Sequence, residues 1–513
     1  MLTLPRMKTE TQKGQREIVQ MRGINWGDQL QDGDLADSLN VSARRFPYLS
    51  TRKARAKIAE YSGVTALTAW GKLVAVQGTN LLYDGTVVGT VTAGEKQFAV
   101  VNTRLVIWPD KVYLDTRELT VKPLAASATA TTAAFTANTV TLTGAGDLTE
   151  KFFPGDGLKI TGCTVNEGNN KTFVVEAVTA NTLTATTDEA FTAGTETGTI
   201  TFAREVPDMD FICESENRLW GCSSEEQTIY ASALGDPSNF NVFEGLSTDS
   251  YALAVGTDGD FTGCCKLSSS VLFWKENVLH KMLGSNPAEY QLYQYTVEGL
   301  RSGCHKSMQV INEVLFYVGL HGVYAYSGNA PSLISANFGE KEISEAAGGN
   351  DGDSYYLSGV DQDGVWHLLV YETRNSLWVH EDDLECIDFA RLGRELYFLD
   401  ADGDVWQAAT GEDDPNIQWL AQYTPFYETV QGRKTYSKLL LRLELPKGSY
   451  LVLSVRTDGG PWREAGQIVG SVADVTRVRV PIARCDKFEL KMEGKGPCTV
   501  LSFLRELSVG SEV

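Results

Sequence analysis

Long apolar runs are missing from this 513-residue sequence. Because a membrane-spanning helix needs an apolar stretch of about 18 residues or more, the sequence predicts no membrane span. Its first residues, "MLTLPRMKTETQKGQREIVQ", lack the apolar centre of a secretory signal. Nine cysteines are present and none forms a CxxC pair. Reduced structural thiols, in a protein made in a cytosol, are therefore expected.

Positive charge is also scarce. Lys and Arg together number 45, Asp and Glu together number 66, and the formal net charge is −21. Affinity for duplex DNA comes largely from neutralising phosphates with basic side chains. A chain of this charge repels DNA on average, so nucleic-acid binding is not expected as its general activity.

One segment has the opposite charge. Residues 44–57, "RRFPYLSTRKARAK", contain no acidic residue. The segment is a solvated basic arm, a nucleic-acid contact, or an arm that docks on an acidic neighbouring subunit or on a ring above it. Docking on protein is favoured for two reasons. To bind nucleic acid, a short basic patch would have to act against the negative field of the whole protein. Apolar side chains surrounded by arginines also suit a pocket on another protein. The predicted docking residues are Arg44, Arg45, Phe46, Tyr48, Arg52, Lys53, Arg55 and Lys57.

A cluster of aspartates marks the stretch "LYFLDADGDVWQAATG", residues 396–411. Asp400, Asp402 and Asp404 resemble the start of a calcium loop, but an EF-hand needs Gly at position 6 and Glu at position 12. Here Gly403 is at position 4 and Gly411 at position 12. The flanking apolar runs and the Asp-Gly pair instead predict a β-hairpin without bound calcium.

Similar hairpins recur along the chain. Apolar runs that start at Leu272, Leu315, Tyr355 and Leu396 follow one another at 43, 40 and 41 residues. Units of about 40 residues built from paired hairpin strands are typical of β-propeller blades. Neither a WD dipeptide nor a kelch double glycine recurs, so the sequence predicts an all-β, degenerate propeller of six to eight blades.

Two regions depart from this pattern. Residues 123–203 are rich in Thr, Ala and Gly, which predicts an inserted small β-sandwich or barrel. From about residue 421, cleanly alternating apolar positions predict a C-terminal β-sandwich. The predicted segments are an extended arm (1–60), two propeller parts (61–122 and 204–420), the insert (123–203) and the sandwich (421–513).

Five segments carry a family resemblance: "IYASALGDPSNFNVF" (229–243), "GLHGVYAYSGNAPSLIS" (319–335), "SVRTDGGPW" (454–462), "FELKMEGKG" (488–496) and "GINWGDQLQDGDLADSLNV" (23–41). They resemble the tail-hub or nozzle proteins of tailed bacteriophages, also called stabilisation or tail tubular proteins. The resemblance covers most of the chain outside the insert. It implies a virion tail protein, assembled in the host cytoplasm into a ring, commonly sixfold, below the portal and adaptor. Genomic DNA would pass through the ring without specific binding.

Signatures of catalysis are sparse. The sequence has no HExxH, His-x-His, GxSxG or P-loop pattern. Its five histidines, predicted to lie in different blades, are His280, His305, His321, His367 and His380. The acidic runs 380–385 and 411–415 are predicted to be solvated turns, and "RTDGGPW" is one residue short of a sialidase Asp-box. No enzyme activity, cofactor or metal is predicted.

Three functions remain open at this point. The first is a structural ring protein of a phage tail, for which an acidic channel wall would let DNA slide without sticking. The second is a receptor- or glycan-binding propeller of the same particle, and the third is a glycan-active hydrolase, which would need two carboxylates about 5–10 Å apart. Fold alone does not separate these functions.

Overall fold

The computed structural model describes residues 12–428, 433–470, 475–480 and 484–509. The chain forms two compact units. The blade-and-barrel unit comprises residues 63–305 and 328–330, and the blade-and-sandwich unit comprises the described residues of 1–62, 306–327 and 331–513. Helical structure in the described residues is confined to short 3-10 turns at Leu148–Glu150, Glu167–Asn169, His305–Ser307 and Ala336–Phe338. The predicted all-β class is confirmed.

The N-terminal segment contributes strands to the blade-and-sandwich unit. They are β1 (Gln12–Ile18), β2 (Leu35–Leu39), β3 (Val41–Ser42), β4 (Leu49–Thr51) and β5 (Ala56–Lys57). Strands β1, β2 and β4 pair with strands from the end of the chain, β3 pairs with β4, and β5 pairs with a blade strand. These five strands of the predicted extended arm are thus part of the sheets, because their backbone N–H and C=O groups find partners there.

Two four-stranded meanders open the blade-and-barrel unit. The first consists of β6 (Val64–Trp70), β7 (Lys72–Gln77), β8 (Asn80–Tyr83) and β9 (Thr86–Thr90). The second consists of β10 (Gln97–Val101), β11 (Arg104–Trp108), β12 (Val112–Asp115) and β13 (Thr120–Pro123). Val74 and Val76 of one sheet and Leu105 and Ile107 of the other share a buried core, as expected for adjacent blades packed face to face.

The inserted segment folds as a closed six-stranded barrel in the order β14-β15-β18-β17-β16-β19. Its strands are β14 (Ala126–Phe135), β15 (Thr139–Thr143), β16 (Gly157–Thr161), β17 (Thr172–Val178), β18 (Thr182–Ala185) and β19 (Gly194–Arg204). Apolar residues such as Phe135, Leu158 and Phe202 fill the interior, while many of the threonines alternate with them and face outward. The inserted β-domain is therefore a barrel.

Two more meanders follow the barrel in the same unit. One has β20 (Phe211–Ser215), β21 (Arg218–Ser223), β22 (Thr228–Ala231) and β23 (Tyr251–Ala254). The other has β24 (Gly263–Leu267), β25 (Ser270–Trp274), β26 (Val278–Leu283) and β27 (Gln291–Thr296). Trp220 of the first and Phe273 of the second lie in one core. Strand β25 is buried along its whole length, and four of its five residues are apolar.

Three blades belong to the blade-and-sandwich unit. Their strands are β28 (Gln309–Ile311), β29 (Val314–Gly319), β30 (Gly322–Tyr326) and β31 (Ser332–Leu333); β32 (Ile343–Asn350), β33 (Ser354–Asp361), β34 (Trp366–Glu372) and β35 (Leu377–Asp382); and β36 (Cys386–Leu392), β37 (Glu395–Asp400) and β38 (Val405–Gln407) with β5. In the last blade, Lys57 of β5 lies opposite Trp406. Within the described residues there are seven such sheets, in agreement with the predicted six to eight blades.

The C-terminal strands build two sheets with the N-terminal ones. They are β39 (Gln418–Tyr423), β40 (Lys434–Glu444), β41 (Tyr450–Thr457), β42 (Arg463–Val469), β43 (Val475–Arg479), β44 (Arg484–Cys485), β45 (Phe488–Lys495) and β46 (Thr499–Val509). The alternating apolar positions on which the sandwich prediction rests are buried: Leu439, Leu441, Leu443, Leu445, Leu451, Leu453, Val455, Val478, Val480, Phe488, Leu490 and Met492. Ile482, which belongs to the same alternation, lies outside the described residues.

The prediction that the five histidines lie in different blades is wrong, because two of them share a blade. His367 lies on β34 and His380 on β35 of one blade, and their ring centroids are 5.1 Å apart. His380 is paired with Leu369, two residues beyond His367. Because side chains two residues apart share a face of a strand, the two imidazoles meet on one face of the sheet.

Candidate functional site

The basic segment predicted to dock on a partner lies against acidic side chains of its own unit. Arg55 Nη2 is 2.7 Å from Glu381 Oε2, and its Nη1 is 2.6 Å from Asp382 Oδ2. Burial lowers the pKa of Arg55, but these two carboxylates outweigh burial and raise that pKa above its ordinary value. The acidic run 380–385 therefore does not form the predicted solvated turn: Glu381 is buried within β35, where Arg55 offsets its charge.

Other basic residues of the segment have partners in the same unit. The ion pairs are Arg44 with Asp351, Arg45 with Glu444, Lys53 with Asp413, and Lys57 with Asp404. Arg52 Nε donates to Asn40 Oδ1 at 2.6 Å. Phe46 packs on the core and Tyr48 is exposed. The segment thus docks on carboxylates of its own chain, and docking on a neighbouring copy stays a prediction.

A second surface of interest lies on the blade-and-barrel unit. Residues 232–250 connect β22 to β23 and are named here the 232–250 loop. The buried Asp249 holds the loop in shape, because its Oδ2 accepts hydrogen bonds from the backbone N–H groups of Glu244, Gly245 and Leu246, at 2.6, 2.7 and 3.1 Å. A carboxylate bonded to successive N–H groups fixes the backbone of a turn.

Two further buried side chains tie this loop to its surroundings. Arg218 on β21 donates to the backbone carbonyls of Ser232 at 2.8 Å and of Ser247 at 2.6 Å. Asn239 joins the loop to the barrel, since its Oδ1 accepts from Gly157 N at 3.0 Å and its Nδ2 donates to Gly155 O at 2.7 Å. The loop is therefore supported from the blade on one side and from the barrel on the other.

The 232–250 loop presents apolar side chains to solvent. Phe243 is 60% exposed, Leu246 is 56% exposed and Leu234 is 47% exposed. Single exposed apolar residues are common on protein surfaces, whereas contiguous apolar patches mark contact sites. An ordered loop also loses less conformational entropy on binding than a flexible loop does.

Sequence reasoning did not single out Phe243 and Leu246 as contact residues. The segment 229–243 was noted only for its resemblance to tail proteins. The local signal in the sequence is "GDPSN" (235–239), which indicates an ordered turn. In the structure, Asp236 Oδ1 accepts a hydrogen bond from Ser238 N at 3.1 Å. What the sequence did not show is the support by Arg218, whose partners Ser232 and Ser247 are 14 and 29 residues away. It also did not show the turn that Asp249 closes with residues three to five positions before it.

An open groove separates the barrel from the blade that follows it. The groove has a volume of about 570 Å³, and Arg204, Tyr230 and Phe240 contribute to its walls. The carboxylates of the groove have partners in the chain: Glu205 with Lys159 at 3.0 Å, Asp208 with Lys111 at 2.5 Å, and Glu226 with the Tyr230 hydroxyl. Burial and Glu226 raise the pKa of Tyr230 to about 12. These pairings stabilise the two walls of the groove.

Comparisons with known proteins add little beyond the fold. No protein-family model and no curated protein matches the sequence. Among solved structures, the chain is similar to the extracellular domain of the one-component system BT4673 from B. thetaiotaomicron, with 10% identity over 88% of this chain and 60% of that one and a TM-score of 0.38. It is also similar to U3-55K, with 11% identity over 69% and 98% and a TM-score of 0.34.

A third similar structure is BamB from Moraxella catarrhalis, with 11% identity over 71% of this chain and 99% of that one and a TM-score of 0.31. Likeness at this level says nothing of function. The propeller assignment rests on the seven four-stranded sheets formed by the residues that the structure describes. In the part of the chain that the structure describes, no helix has the length and apolar character needed to cross a bilayer.

Proposed function

We propose that the chain is a structural subunit of a bacteriophage tail, which assembles with copies of itself into a hub or nozzle ring. The observation that carries this proposal is the 232–250 loop, whose exposed Phe243 and Leu246 stand on a backbone fixed by Asp249. One of the segments that resemble tail-hub proteins, 229–243, ends at Phe243. In the proposed ring, the loop of each copy packs against the next copy.

The distribution of charge supports an apolar contact between copies. Each copy carries a formal charge of −21, so copies repel one another. The basic segment 44–57 does little to offset this repulsion between copies, because Arg44, Arg55 and Lys57 already pair within the chain. Burial of Phe and Leu side chains gives about 1.5–3 kcal/mol each, which makes apolar residues suited to hold such copies together.

The negative charge of each copy is also consistent with the passage of DNA through the ring. A ring of acidic subunits repels the phosphate backbone, so a genome moves past its wall without specific binding. In this proposal the ring lies below the portal and adaptor and lines the channel for genome retention and ejection. The chain acts through shape and assembly, and is not an enzyme.

The test is the oligomeric state of three proteins by sedimentation velocity. The native chain should form a defined oligomer, and the double variant Phe243→Asp/Leu246→Asp should be a monomer. The control is Val165→Asp, which places one negative charge, where the double variant places two, on the exposed surface of the barrel and should assemble as the native chain does. Far-ultraviolet circular dichroism checks that all three are folded. A double variant that assembles like the native chain would refute the proposed contact.

A further inference from the structure

Two histidines and an aspartate converge at one end of the second blade of the blade-and-sandwich unit. His367 is on β34, His380 is on β35, and Asp383 is the residue after β35. His367 Nδ1 is 3.4 Å from His380 Nε2 and 3.9 Å from Asp383 Oδ1. His380 Nε2 is 3.0 Å from Asp383 Oδ1. Three potential metal ligands therefore point at one another.

The three donor atoms, His367 Nδ1, His380 Nε2 and Asp383 Oδ1, form a triangle of the size that a zinc ion requires. Zinc binds imidazole nitrogen and carboxylate oxygen at about 2.0–2.2 Å, so the ligands of a tetrahedral ion lie about 3.3–3.6 Å apart. A point equidistant from the three donor atoms here would be about 2.0 Å from each of them. The triangle thus accepts an ion with small shifts of the side chains.

The outer nitrogen of each imidazole faces a carboxylate. His367 Nε2 is 3.0 Å from Asp361 Oδ2, and His380 Nδ1 is 3.5 Å from Asp37 Oδ1. Histidines that bind metals usually donate their second N–H to a carboxylate or a carbonyl, which fixes the tautomer and turns the other nitrogen toward the metal. His367 shows this arrangement, and at His380 the Nδ1 atom faces Asp37 without a formed hydrogen bond. His367 Nδ1 and His380 Nε2 are left facing Asp383.

Asp361 is itself held in place. Its Oδ1 accepts from the backbone N–H groups of Asp363 and Val365, each at 3.0 Å, and Lys341 Nζ is 2.5 Å from its Oδ2. The carboxylate that orients His367 is therefore fixed by the turn between β33 and β34 and by a lysine. This support is what a rigid metal ligand needs.

The site is closed on one side and open on the other. Both imidazoles are buried, and the indole of Trp26 lies beside them at centroid distances of 5.4 Å from His367 and 6.1 Å from His380. The Asp383 side chain is 66% exposed, so it gives access from solvent. Three protein ligands with one open side leave a fourth position for water or another ligand.

We propose that His367, His380 and Asp383 bind a divalent transition-metal ion, with Zn²⁺ as the best match to the donor set. Imidazole and carboxylate ligands suit zinc better than calcium or magnesium, which prefer cages made wholly of oxygen. The ion would join the β34–β35 hairpin to the turn that follows it. This proposal is independent of the ring assembly.

The test uses the full chain, stripped with a chelator and then dialysed against micromolar Zn²⁺ alone. Metal content is measured by plasma mass spectrometry after gel filtration. The native chain should retain one zinc per chain, and His367→Ala and Asp383→Asn should lose it. Asp383 is exposed, so Asp383→Asn should remain folded even if the histidine variant does not. Asp363→Asn changes an exposed carboxylate in the neighbouring turn and should retain the ion.

Cobalt distinguishes this site from the nine cysteines of the chain. Co²⁺ bound by nitrogen and oxygen gives visible ligand-field bands, whereas thiolate ligation adds an intense charge-transfer band in the near ultraviolet. The native chain should show the visible bands alone, and Asp383→Asn should lose them. Asp37→Asn, which removes the carboxylate behind His380, should weaken binding about 10–100-fold. A native chain without stoichiometric zinc, or zinc retained in Asp383→Asn, would overturn the proposal.

Discussion

Arg505 Nε donates to Glu428 Oε1 at 2.8 Å, and neither side chain has contact with solvent. The guanidinium also lies 3.7 Å from the centre of the Phe426 ring and 2.9 Å from Asp32 Oδ2. The pair connects β46 to the segment after β39. Because both charges are removed from water, each depends on the other.

Replacing either partner should therefore strongly destabilise the folded protein. Arg505→Met leaves the buried Glu428 carboxylate without its main partner and should lower the free energy of unfolding by about 3–5 kcal/mol. The control is Lys438→Met, which breaks an exposed ion pair with Glu506 at 3.4 Å and should cost at most about 1 kcal/mol. Urea denaturation followed by fluorescence measures both. Equal effects of the two variants would contradict this account of the pair.

Stability at acid pH should depend on His280. Burial, followed by the nearby Lys275, lowers the pKa of His280 to about 4, whereas an unfolded histidine titrates near about 6.5. Between these values the unfolded state binds a proton that the folded state does not, so stability falls as the pH drops from about 6.5 to about 4. The total loss from this residue is up to about 3 kcal/mol.

The measurement is the midpoint of thermal unfolding at neutral pH and near pH 4.5. His280→Gln removes the titrating group and should lose less stability over this interval than the native chain. His321→Gln, at an exposed position in a turn, should follow the native chain. If the native chain and His280→Gln lost equal stability, His280 would not be the group responsible.

The hairpin at Asp400 should be held by its own hydrogen bonds rather than by calcium. Asp400 Oδ1 accepts from Asp402 N at 3.1 Å and from Asp404 N at 2.8 Å, and its Oδ2 accepts from Trp406 Nε1 at 2.7 Å. Asp400→Ala removes the acceptor for all three and should cost about 2–3 kcal/mol. Calcium should not change the melting temperature of the native chain. A rise of several degrees with calcium that Asp402→Ala abolishes would reveal a metal site instead.

Salt should strengthen the proposed assembly. Charges on neighbouring copies repel, and raising the ionic strength from about 0.05 M to about 0.5 M shortens the screening length from about 14 Å to about 4 Å. If Phe243 and Leu246 make the contact, the oligomer should become more stable over this range in sedimentation velocity. A contact made by the basic segment 44–57 with carboxylates of another copy would instead weaken with salt. The two modes of docking thus give opposite results.

The sequence was most informative where the apolar residues follow a single regular spacing. The sandwich strands alternate strictly, and Leu439, Leu441 and Leu443 are all buried, because a strand with one face on a core must place every second residue inward. The blade hairpins were predictable for a related reason, since their turns contain Gly, Asp or Asn and their flanks are apolar and β-branched.

Features that depend on distant pairing were not predictable. Nothing local in β5 shows that Lys57 lies opposite Trp406 in a blade formed more than 300 residues later. Likewise, His367 and His380 are 13 residues apart in no known motif, and they meet only because β34 and β35 pair in one register. The outcome for the basic segment has the same cause: its charge predicted carboxylate partners, but not that these belong to its own chain.

The central claim is that copies of this chain form a ring through the 232–250 loop. Electron cryomicroscopy of the purified chain at micromolar concentration tests it directly. The account predicts closed rings, commonly of six copies, in which Phe243 and Leu246 of each 56.1 kDa subunit lie at the boundary with the next. Isolated single subunits at that concentration, or rings in which both side chains face solvent, would contradict it.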